Sequence, residues 1–150
     1  MYIDYEYYSS LYKTVPEADF TRVCMKAQRK LDNLTAGIDG VRKLAHAFPN
    51  DEESAQLVKI CMAELMNAVY SAEKLQNVVA AENGVHSNVI TSVSAGNESV
   101  HYAAIDTGND RTTQEGIYRD LVREYLSGVA DANGVNLLYM GRYPYSIATK

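Results

Sequence analysis

The sequence predicts a mainly α fold: a small helical bundle with one long central helix, a β-hairpin insertion and an extended C-terminal tail. Three observations predict it. Apolar residues recur at spacings of three and four over most of the chain, and capping signals precede the longer of these runs. The helical spacing gives way to β-prone runs only at 88–104, and to an irregular apolar tail after about residue 132. With 150 residues, 47% hydrophobic and 22% charged, the chain has the size and composition of one soluble domain. A domain of this length buries roughly 70% of its unfolded-state surface and needs no metal or disulfide staple.

The elements follow in order. Asp4 caps a short helical turn, YEYYSSLY, that puts Tyr5, Tyr8 and Tyr12 on one side. Thr14-Val15-Pro16-Glu17 has capping-box spacing with a proline in the first turn. Behind it Phe20, Val23, Cys24, Ala27, Leu31 and Leu34 form one apolar stripe, ended by Gly37. Arg22, Lys26, Arg29 and Lys30 occupy the other face. GIDG is a linker, and VRKLAHAF resumes helical spacing briefly. Pro49 to Glu53 stops the chain and restarts it, with acids at the positive end of the next helix dipole. From there to about Asn83 runs the longest periodic segment. Val58, Leu65, Ala72 and Val79 lie seven apart, with Cys61, Ala68 and Leu75 between them. That repeat makes a seam against another helix. Met62, Met66 and Tyr70 widen the stripe, as either a broad core face or a second contact surface.

Periodicity changes at Asn83-Gly84. Two short β-prone runs flank Gly96-Asn97 within 88–104, and a Gly-first two-residue loop suits a type II′ hairpin. Thr91, Val93, Val100 and Tyr102 would share one face of that hairpin. DTGNDR reads as a linker, and Thr112 to Glu115 as a second capping box opening the last helix, with the stripe Ile117, Tyr118, Leu121, Val122, Tyr125 and Leu126. Residues 1–132 are therefore expected to form the bundle with its hairpin, and 133–150 an extended tail.

Several function classes are disfavoured. Lys plus Arg total 14 against 19 Asp plus Glu, a net charge of −5, so no basic excess is available to neutralise phosphates. No apolar run approaches the ~20 residues of a membrane span. MYIDYEYY lacks the pattern of a signal peptide. Cys24 and Cys61 occupy apolar helical positions and are expected to be reduced core residues. His46, His86 and His101 are dispersed, with no metal-ligand spacing, so no metal or cofactor is expected. Nucleophile motifs and phosphate-binding glycine loops are absent from the sequence, so no catalytic residue is assigned and the chain is not expected to be an enzyme.

Protein contact remains. Of twelve tyrosines, eight lie near the chain ends: Tyr2, Tyr5, Tyr7, Tyr8 and Tyr12, then Tyr139, Tyr143 and Tyr145. Tyr and Met are enriched in interface cores. The N-terminal set suits either its own bundle or a neighbour; the tail favours docking on another protein. Candidate inter-subunit residues are Tyr5, Tyr8, Tyr12, Met62, Met66 and Tyr70.

The opening YIDYEYYSSLY, the helix PEADFTRVCMKAQRKLDNLT, the stretch AFPNDEESAQLVKICMAEL, the segment SAGNESVHYA and above all YLSGVADANGVNLLYMGRYPY resemble the head–tail connector proteins of tailed phages and Gram-positive prophages. These adaptor, or head-completion, proteins sit beneath the portal. The resemblance runs over nearly the whole chain and is most specific in the G-V-N-L-L-Y-M-G block.

It implies a virion structural protein at the neck, assembled in the host cytoplasm. Its subunits form a dodecameric ring that docks on the portal protein and joins the next head-closure or tail protein, while double-stranded DNA passes through without sequence-specific binding. Carried over by position, Leu137, Leu138, Tyr139 and Met140 match the portal-docking tail, with Tyr143 and Tyr145 behind them. Gly96, Asn97 and Glu98 match the tip of the projecting element. The alternative is a small helical regulatory or nucleic-acid-binding module using the basic face of Arg22, Lys26, Arg29 and Lys30. Neither reading involves a membrane.

Overall fold

The computed structural model describes residues 1–93 and 99–145, with side chains described for 1–81 and 113–145. Five helices follow one another: α1 (Tyr5–Leu11), α2 (Glu17–Leu34), α3 (Lys43–His46), α4 (Glu52–Val93) and α5 (Ser99–Leu126). The mainly α class and the long central helix are as expected. At 1.5 Å per residue α4 is about 63 Å long.

The helix starts follow local chemistry. Asp4 caps α1 by accepting from the Tyr7 backbone N–H at 2.8 Å. Asp51 caps α4 by accepting from both the N–H and the hydroxyl of Ser54, and these bonds hold its carboxyl below the usual range. The capping box expected at Thr14 does not form: α2 starts at Glu17, with Pro16 in extended conformation before it. A residue preceding proline is disfavoured in the α region, so Val15 cannot open the helix. Instead its side chain is buried and its N–H donates to the Tyr8 hydroxyl.

The core lies where α2, α4 and the second half of α5 meet. Phe20, Val23, Cys24, Ala27 and Leu31 of α2 face Val58 to Tyr70 of α4, and Tyr118, Val122 and Leu126 of α5 close the third side. α4 and α5 run antiparallel: Leu75 shares a groove with Thr113 and Ile117, whereas Tyr125 lies near Cys61 and Glu64. Arg22 and Lys26 of α2 both pair with Glu73 of α4. Beyond Glu73, Leu75 and Val78 are half exposed, and so is Ile117 opposite them. The seam expected through Leu75 therefore leaves the core at its distal end.

The β-hairpin expected over 88–104 is overturned. Residues 88–93 continue α4, residues 99–104 begin α5, and the turn residues Gly96, Asn97 and Glu98 lie outside the described residues. The linker and capping box expected at 106–115 are likewise helical, and the α4 stop expected near Asn83 does not occur. β-prone residues lose here to cooperativity. Extending an existing helix adds one hydrogen bond per residue fixed, whereas an isolated two-stranded hairpin is marginal in water.

Candidate docking surface

The C-terminal block after α5 carries the most specific part of the sequence. α5 ends where its stripe ends, followed by Gly128 at φ +80°. Ala130 and Asn136 then form a lone antiparallel bridge across a tight turn, Asp131-Ala132-Asn133-Gly134. Asp131 N–H donates to the Val135 carbonyl, and Gly134 N–H to the Asp131 carbonyl. Gly134 sits at φ +80°, the left-handed position that ends a three-residue hairpin loop and that only glycine occupies without strain. The buried Asp131 carboxylate holds the turn, its Oδ1 accepting from the N–H groups of Asn133 and Val135, both at 2.9 Å. Its Oδ2 accepts from the Tyr143 hydroxyl at 2.6 Å.

Residues 137–143 then lie back across the bundle as a strap, where an extended tail was expected from residue 133. Leu137 is fully buried, and its N–H donates to the Val129 carbonyl. Ile38 N–H donates to the Met140 carbonyl at 2.9 Å, and Tyr143 N–H to Asp39 Oδ2 at 2.7 Å. That second bond holds the Asp39 carboxyl below its usual range. Gly37 makes the approach feasible, since a Cβ there would collide with the Gly141 carbonyl oxygen. A Cβ on Gly141 would meet the Tyr139 ring, which folds back over it.

Beneath the strap lies Lys43, fully buried. Its ammonium donates to the carbonyls of Thr35 at 3.0 Å, Leu137 at 3.1 Å and Tyr139. The Thr35 carbonyl belongs to the negative end of α2, so the cation also meets a helix dipole. Burial pushes the Lys43 ammonium down from its ordinary pKa, against the pull of Asp131 and Asp39. All three donors are used, which is the condition for a buried charge to be tolerated. Sequence reading missed this residue, because a lysine in VRKLAHAF looks like any solvated helix lysine.

The strap sorts the tail residues. Leu137 and Tyr143 belong to the chain's own interior, and Leu138 is half-buried. Tyr139 and Met140 stay on the surface, 49% and 57% exposed, next to Ile38 at 85%. With Ile38 hydrogen-bonded to Met140, these three exposed apolar residues sit on adjacent stretches of backbone and form the candidate patch. Tyr145 is also half exposed, edge-on to Tyr143. Ile38 was not singled out in the sequence, where GIDG reads only as a linker.

The N-terminal residues expected at a subunit contact are placed differently. Tyr8, Met62 and Met66 are fully buried in the chain's own core and Tyr70 nearly so, which leaves them little surface for a neighbour. Tyr5 and Tyr12 are partly buried against the same core. Tyr5 and Tyr8 pack around Phe20, with centroids 5.4 and 5.9 Å away. Each hydroxyl that needs a partner finds one on the bundle: Tyr2 on Asp32, Tyr7 on Gln56, Tyr8 on Asn67 and Tyr12 on Glu64. The Glu64 carboxylate accepting from it pushes the Tyr12 phenol up to about 12. A ring with a polar tip thus clamps α1 to α2 and α4.

Two other surfaces bear on function. The basic face of α2 is largely neutralised, with Arg22 and Lys26 on Glu73 and Lys30 on Glu115. Lys26, Lys30, Glu73 and Glu115 line an open cleft of about 260 Å³ between α2, α4 and α5. A second, apolar groove of about 310 Å³ lies between α4 and α5, lined by Ala68, Ala72, Leu75 and Ile117. Among the described residues no group of three His, Cys, Asp or Glu side chains is placed to hold a metal ion, and no helix is long and apolar enough to cross a membrane. Comparison with protein-family models, curated proteins and solved structures returns no match.

Proposed function

We propose that the protein is a virion structural protein: a subunit of an adaptor ring that docks under the portal and joins the DNA-filled head to the tail or the next head-closure protein. The observation that carries this reading is the patch of Ile38, Tyr139 and Met140. It is made largely by the Y-M-G block in which the resemblance to head–tail connector proteins is most specific. The strap's bonds to Ile38, Asp39 and Lys43 present those side chains outward while their neighbours Leu137 and Tyr143 anchor the segment. Large apolar side chains held in place on a folded scaffold cost little ordering entropy on docking.

A closed ring joins one patch of a subunit to a different patch of the next, and so needs two surfaces per subunit. The exposed apolar positions Leu75, Val78 and Ile117 on the distal α4–α5 pair supply a surface separate from the strap. In this proposal they take the subunit contact that Tyr8, Met62 and Met66 cannot. The net charge of −5 suits a conduit, because an acidic lining releases DNA where a basic one would hold it by counterion release.

Electron microscopy of the purified protein mixed with its portal protein tests the reading. A ring coaxial with the portal is the expected result. If the full chain forms no ring on the portal, the proposal is wrong.

A further inference from the structure

Lys43 is a buried cation that ties the strap to the end of α2, bonded to the carbonyls of Thr35, Leu137 and Tyr139. We infer that residues 138–145 open and reclose as a unit while the helices stay folded, with Lys43 as the latch.

Three features carry this inference. The strap is held by four polar contacts, Ile38 N–H to the Met140 carbonyl, Tyr143 N–H to Asp39, the Tyr143 hydroxyl to Asp131 and Lys43 to the Tyr139 carbonyl, and by the buried Tyr143 ring, edge-on to His46. Leu137, the apolar anchor at the start of the strap, has its own bond to the Val129 carbonyl. The chain can therefore part after Leu137 without opening the core. Lys43 also bonds both sides of the parting, with the Thr35 and Leu137 carbonyls on the fixed side and the Tyr139 carbonyl on the strap. The cost of desolvating that charge offsets much of what its bonds contribute, so the closed form is held by a small net free energy. Segments of this kind open at free energies well below global unfolding. Opening would free Tyr139, Met140 and Tyr143 together, and the device belongs to the isolated subunit whatever it docks on.

Native-state hydrogen exchange on the full chain, followed by NMR in low denaturant, tests it. The Ile38 and Tyr143 amides lie far apart in sequence and donate across the same seam. They are expected to open with one common equilibrium constant, about 100-fold or more larger than that of the core amide of Leu65, and with a denaturant dependence well below that of Leu65. Lys43→Met should raise both openings by the same factor, about tenfold or more. Exchange of either amide with the constant and denaturant slope of Leu65 would overturn the inference, as would unequal responses to Lys43→Met. Should the variant fail to fold, the wild-type constants and slopes decide alone.

Discussion

Replacing Asp131 with alanine tests the C-terminal turn most sharply. The wild-type carboxylate accepts three hydrogen bonds, from Asn133 N–H, Val135 N–H and the Tyr143 hydroxyl, while nearly inaccessible to water. In Asp131→Ala the three donors fare differently. Asn133 is exposed and its N–H finds water. Val135 is buried, so its N–H is left without a partner. Tyr143 keeps the bond it accepts from Asn133 Nδ2 at 2.9 Å but loses the acceptor for its own proton. Each stranded buried donor costs about 1–3 kcal/mol, and relief from burying a carboxylate returns part of that. A net loss of about 3 kcal/mol follows, which for a chain of this size lowers the melting temperature by about 6–12 °C. Circular dichroism at 222 nm through a thermal ramp, with urea titration for the free energy, measures it. Asp131→Asn keeps an acceptor in place and should lose about 1 kcal/mol. If Asp131→Ala melts within about 0.5 kcal/mol of wild type, the carboxylate does not hold the turn as described.

Other outcomes follow from the same geometry. Leu137→Ala, at a fully buried site, should cost about 2–5 kcal/mol in urea unfolding, whereas Tyr139→Ala two residues on should cost under about 1 kcal/mol because half of its surface is already in water. Gly37→Ala should displace the strap, seen as faster exchange of the Ile38 amide and a shifted Tyr143 amide resonance in NMR spectra, because the new methyl group meets the Gly141 carbonyl. Burial raises the Asp32 carboxyl above its ordinary value of 3.8, so the folded state binds that proton more tightly than the unfolded one. The stability this contributes is present below about pH 3.8 and lost as pH rises through the raised folded value. Asp32→Asn removes that loss while keeping an acceptor for the Tyr2 hydroxyl, so pH-dependent urea unfolding should show the variant gaining on wild type from pH 3 to pH 7.

Much of the architecture was legible because it rests on local rules. The stripes of α2 and of the first half of α4 were readable from spacing alone, as was the Asp4 cap. The distal helices were not, because residues 88–104 carry β-prone side chains and a glycine turn signal that helix extension overrides. The exposed patch was half legible. Tyr139 and Met140 stood out as apolar residues beyond the last helix, but nothing local distinguishes them from Leu137 and Tyr143, which point inward. That sorting is made by Lys43, Asp39 and Gly37, about a hundred residues away in sequence. For Tyr8, Met62 and Met66 the sequence leaves core and contact both open for a related reason: a wide apolar stripe shows that a helix has several neighbours, not whether they belong to the same chain.

The most direct measurement of the proposed adaptor role is the affinity of the protein for a portal protein, compared with that of Ile38→Glu. Ile38 is 85% exposed, so the substitution leaves folding intact while placing a charge at the centre of the patch. Docking through that patch requires wild type to bind and the variant to lose about 30-fold or more in affinity, the effect of about 2 kcal/mol at a buried hot spot. Equal affinities for the two proteins would contradict it.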